Sequence, residues 1–77
     1  MIEPMDTILK NNLKAMRFNN GMMTQAQLAE ALDVSRQTII AIEQGKFNPS
    51  VKLALRIAAF FGYQIEDIFY LTKEELK

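Results

Sequence analysis

The chain has no cysteine, histidine or tryptophan among its 77 residues. Without thiols or imidazoles it cannot build a disulfide scaffold, a zinc finger, a thiolate nucleophile or a Cys-His haem attachment. Excess charge of one sign is also lacking, with nine basic and nine acidic residues. No apolar run approaches the ~20 residues of a membrane span. The N-terminal MIEPMD is acidic and has no basic cluster, so it does not read as a secretory signal. The chain is therefore expected in the cytoplasm, with no membrane partner. Glycine and proline are scarce, at three and two residues, and they fall where helical segments should end.

What is present is an ordinary globular mixture, 49% hydrophobic and 23% charged. This length is one small domain, burying only about 60% of its unfolded surface. It leaves little room for a substrate cavity of ~300–1,000 Å³. The carboxylates show neither a metal-loop spacing nor a nucleophile partner. Neither enzymatic activity nor a metal or cofactor is expected, and no site for a small-molecule effector is evident. The charge is unevenly spread. Glu3 and Asp6 make the first nine residues acidic. Residues 10–56 are basic, with Lys10, Lys14, Arg17, Arg36, Lys46, Lys52 and Arg56 against Glu30, Asp33 and Glu43. The last twenty-one residues are acidic again. A mildly basic middle is by itself weak evidence for a polyanion partner, since scattered solvated charge is the commoner cause.

Helix signals dominate the pattern. Leu9, Leu13 and Met16 recur at i, i+4, i+7, on one face of a first helix that ends near Phe18. Asp6 could cap it, or Asn11 could, leaving Ile8–Leu9 extended. Asn19-Asn20-Gly21 is a turn. Thr24 and Gln27 have the spacing of a capping box and start a second helix to about Leu32. Asp33 tolerates left-handed backbone, and Ser35 caps a third helix to Gln44, closed by Gly45. Ser50 caps a fourth helix of about eleven residues, closed by Gly62. A short fifth segment runs from Ile65 to Phe69, and Tyr70-Leu71-Thr72 favours strand. The expected fold is all-α: a compact five-helix bundle with room for a short ribbon between its ends.

The informative stretch is QAQLAEALDVSRQTIIAIEQ, Gln25–Gln44. Two helices of about eight residues joined only by Asp33-Val34-Ser35 must cross steeply, as in a helix-turn-helix. The close approach requires a small residue, and Ala29 occupies that point. Leu28, Leu32, Val34, Ile39 and Ile42 supply the apolar residues that seal the pair.

On these residues the chain resembles the phage repressor and Cro helix-turn-helix family, also called the xenobiotic-response-element family of transcriptional regulators. The matching segments are NNLKAMR (11–17), TQAQLAEALDVSRQTIIAIEQGKFNPS (24–50) and LALRIAAFFGYQIEDIF (53–69). The resemblance implies a five-helix bundle that binds two operator half-sites as a homodimer. It implies a structural pair between Arg17 and Glu43. It also implies that the two ends can form a β-ribbon, with Ile8–Leu9 against Phe69–Thr72. The domain is expected over residues 11–69, after an N-terminal extension at 1–10 and before a C-terminal tail at 70–77. Two departures stand out: Asp33 replaces a common glycine, and the turn Asn19–Met23 is one residue longer than usual.

Under that resemblance the start of the third helix enters the major groove of double-stranded DNA. Arg36 is expected to read guanine and Gln37 adenine, while Ile40 either meets a thymine methyl or is partly covered core. Ala41 lies on the same outward face. Backbone contacts are expected from Thr24, Gln25, Ser35, Gln44, Lys46 and Asn48, near helix starts and the loop after the third helix. Asn48 also suits turn chemistry before Pro49, and Phe47 reads as a lid on the core. Leu55, Phe60, Phe69 and Tyr70 exceed what one core needs and form the expected dimer interface. The function expected is a sequence-specific regulator, a repressor acting as a dimer. The alternative is an interaction or antitoxin-like module with the same fold that does not read DNA.

Overall fold

A computed structural model describes residues 7–73. The candidate cap Asp6, the acidic Glu3, Met1 and Met5, and residues 74–77 of the expected tail lie outside the described residues. The order is β1 (Thr7–Asn11), α1 (Leu13–Asn19), α2 (Gln25–Leu32), α3 (Arg36–Glu43), α4 (Val51–Phe61), α5 (Ile65–Ile68) and β2 (Phe69–Lys73). Among the described residues, five helices and a two-stranded antiparallel ribbon of β1 and β2 match the expected architecture.

The local signals act where they were read. Thr24 accepts from the amide of Gln27, while the Gln27 side chain accepts from the amide of Thr24, a complete capping box. Ser35 and Ser50 cap α3 and α4 by accepting from Thr38 and Leu53. Asp33 adopts φ 58°, so a short polar side chain takes the left-handed position where the turn leaves α2. α3 ends in a Schellman arrangement. Gly45 donates to Ile42 and Lys46 to Ala41, with Gly45 at φ 75°.

The start of α1 differs from the helical spacing of Leu9, Leu13 and Met16. Leu9 lies in β1, opposite Leu71, and packs at the edge of the core. The chain changes from strand to helix at two asparagines. Asn11 Oδ1 accepts from the Leu13 amide, and the Asn12 amide donates to Ile68. The longer turn before α2 is taken up by two consecutive left-handed residues, Gly21 at φ 72° and Met22 at φ 55°.

All six predicted sealing residues of the helix pair face inward. Leu28, Ala29, Leu32, Ile39 and Ile42 are buried, and Val34 packs against them. Leu13, Ala54, Ile57, Ala58 and Ile68 complete the core. Arg56 on α4 donates to the carbonyl of Leu32 and so ties α4 to the end of α2. Phe47 is half-exposed and does not close the core as a lid. Phe69 is a correction to the expected interface. It is only 9% exposed and belongs to the core, because ribbon pairing opposite Asn11 turns it inward.

Candidate nucleic-acid interface

α3 is held by its buried stripe, Ile39 and Ile42, and by the buried side chain of Glu43. Ser35, Arg36, Gln37 and Gln44 are exposed, and Ile40 and Ala41 are half-buried. Ile40 is thus partly covered while still reaching the surface. The expected base-contacting residues share one helix and lie off its buried stripe.

A polar network fixes this helix. Arg17 donates from Nε to Glu43 Oε2 at 2.7 Å and from Nη2 to Glu43 Oε1 at 3.0 Å. Its third donor, Nη1, reaches the carbonyl of Met23 at 2.8 Å. Both side chains are only 6% exposed. A forked guanidinium matches a carboxylate in this two-bond geometry. Its remaining donor holds the turn before α2, so a buried charge is satisfied on every side. Phe18 lies with its ring 5.1 Å from the Arg17 guanidinium carbon and shields it from water.

The network continues outward to the surface. Gln25 Nε2 donates to Glu43 Oε1 at 3.1 Å, which turns the amide oxygen of Gln25 away from Glu43. That oxygen accepts from Arg36 Nη2 at 3.4 Å. Gln25 was expected only as a backbone contact. Its bridging role was missed because it depends on a side chain eighteen residues away. Thr24 and Ser35 spend their hydroxyls on capping. Gln44, Lys46 and Asn48 lie at the other end of α3 and are exposed. Asn11 Nδ2 donates to the carbonyl of Ile42 at 3.0 Å, anchoring the ribbon to that end of α3.

Of the expected dimer residues, Leu55 is 52% exposed, Tyr70 40% and Phe60 39%. Among the described residues no group of metal-ligating side chains is found, and no helix is long and apolar enough to cross a membrane.

A short outward-facing helix, clamped from behind by an arginine–glutamate pair and joined to its predecessor by a three-residue turn, defines a helix-turn-helix protein. The family model for the helix-turn-helix matches residues 13–68. The chain is 57% identical over 67 residues to an uncharacterised HTH-type transcriptional regulator of Methanocaldococcus jannaschii, covering 87% of this chain and 100% of that one. It is 42% identical over 66 residues to a second such regulator, YgzD of Bacillus subtilis, covering 86% and 98%. The crystal structure of the transcriptional regulator VanUg superposes with a TM-score of 0.73 at 20% identity, covering 96% and 97%, a likeness of fold. The protein belongs to the Cro/repressor-type helix-turn-helix family of DNA-binding transcriptional regulators, which is not a family of enzymes.

Proposed function

We propose that the protein is a repressor that acts in the cytoplasm and reads operator half-sites as a homodimer. The observation that carries this reading is the polar first turn of α3, Arg36 and Gln37, exposed on a helix fixed by the buried Arg17–Glu43 pair. A preorganised reading helix loses little freedom on binding. In this reading Arg36 and Gln37 contact base edges, and Ile40 and Ala41 give apolar contact to thymine methyls. Thr24, Gln25, Ser35, Gln44, Lys46 and Asn48 contact the sugar-phosphate backbone. Leu55, Phe60 and Tyr70 meet their counterparts in the second copy, while Phe69 supports them from within.

Selection of bound duplexes from a random pool tests the reading. The expected product is a two-fold symmetric sequence with half-sites about one helical turn apart, 10–10.5 base pairs. Recovery of no preferred sequence at any salt concentration would contradict it.

A further inference from the structure

Three clefts run side by side around the end of α1 and the side of α3. The first is about 410 Å³ and is lined by Arg17, Phe18, Gln25 and Arg36 among others. The second, about 380 Å³, shares Phe18 and adds Asn11, Lys14 and Glu43. The third, about 370 Å³, shares Asn11 and Glu43 and adds Lys10, Gln44 and Gly45. Together they form one belt from the N-terminal end of α3 to its C-terminal end.

The charge of this belt is one-sided, although the whole chain is neutral. Among the described residues its only carboxylate is Glu43, whose side chain is buried and bonded to Arg17 and Gln25. Arg36, Lys14 and Lys10 are exposed, and no carboxylate among the described residues pairs with them. Glu30, Asp33, Glu66 and Asp67 line none of the three clefts. Asp67 instead accepts from the Gln64 amide at the start of α5.

The two lysines also stand on rigid supports. They flank the asparagine hinge, where Asn11 bonds Ile42 of α3 and Asn12 bonds Ile68 and Asp67 of α5. Lys10 and Lys14 are therefore placed relative to α3 by both the ribbon and α1. An α-helix with its side chains is about 10–12 Å across, comparable to the width of the major groove, about 12 Å. A helix seated there brings its flanking belt against a phosphate row.

We infer that Lys10 and Lys14 are DNA-backbone contacts, extending the line begun by Gln25 along the α1 side of the reading helix to the ribbon. The inference rests on the DNA-binding reading above and adds to it two residues on two further elements, Lys10 of β1 and Lys14 of α1. Lys10 and Lys14 add affinity without sequence information, because phosphates are the same at every base pair.

The test is the double variant Lys10→Gln/Lys14→Gln, titrated with the selected operator and with random duplex between 50 and 200 mM salt. Each lost phosphate contact reduces the log–log salt slope by about 0.9. The slope should become shallower by about 1.8, so the wild type should lose about tenfold more affinity than the variant across that range. Operator and random affinities should fall by equal factors, and the selected consensus should stay the same. A thermal melt of the variant ensures that a folded protein is compared. A folded variant with the wild-type slope overturns the inference and leaves the proposed function standing. An altered consensus also overturns it, since the lysines would then read bases. Failure of the wild type to bind any duplex overturns both readings.

Discussion

The α1–α3 side of the molecule and the α4–ribbon side differ in how their surfaces are completed. On the first side a chain of polar groups is held within the molecule. Glu43 is bonded by Arg17 and Gln25, Gln25 orients Arg36, and Thr24 and Ser35 close their own helix starts. On the second side Leu55, Phe60, Tyr70 and Leu71 are exposed apolar residues. A polar surface can remain wet until a polyanion arrives, whereas exposed apolar side chains of this kind suit the pairing proposed above. In the proposed function the first side reads and the second side pairs, and each substitution below is aimed at one side.

The largest effect is expected from Arg17→Met. It leaves Glu43 charged and buried without its partner, at a cost of about 3–5 kcal/mol. A domain of this size has roughly 4–12 kcal/mol of stability in all. Urea unfolding should show a large loss, and a cycle with Glu43→Leu should reveal a coupling of about 0.5–3 kcal/mol. Strict additivity would remove the network from the account.

Leu55→Glu should act on pairing alone. The side chain is half-exposed in the single chain, so monomer stability should change by no more than about 0.5 kcal/mol. Sedimentation at micromolar concentration should change from twice the chain mass to the chain mass. A wild type that is already monomeric would erase the distinction between the two sides.

The smallest effect is expected at the turn before α2. Met22 is 73% exposed at φ 55°, a conformation that costs an ordinary L-residue about 1–2 kcal/mol. Glycine relieves that strain but gives the unfolded chain more freedom, by about 0.4–1 kcal/mol. Met22→Gly should therefore raise the melting midpoint slightly while DNA affinity stays unchanged. A lowered midpoint would mean that the Met22 side chain makes contacts that matter.

The sequence revealed most where structure is local. Thr24 and Gln27, Ser35, Ser50 and Gly62 are start and stop signals acting within one turn of themselves, and each acts as read. The helix-turn-helix was legible because three linker residues constrain six side chains at once. Legibility failed where partners are distant along the chain. The spacing of Leu9 suits a helix, and only its pairing with Leu71 makes it strand. Phe69 reads as surplus until the same ribbon turns it into the core. The Asn11 reading places the cap of α1 one residue early: Asn12 is the N-cap and makes no side-chain cap bond, while Asn11, at the end of β1, accepts from the Leu13 amide. Gln25 could be placed at a helix start from sequence, but not at the junction of Glu43 and Arg36.

The central claim is that the first turn of α3 reads bases while the loop beyond it holds only backbone. It is tested most directly by the ratio of operator to random-DNA affinity in Arg36→Ala beside Lys46→Ala. Arg36→Ala should cost about 1–3 kcal/mol on the operator, much less on random duplex, and relax the choice at one base pair. Lys46→Ala should lower both affinities by similar factors and reduce the salt slope by about one. Equal losses on both DNAs for Arg36→Ala, with the selected consensus unchanged, would contradict the claim and make Arg36 a phosphate clamp.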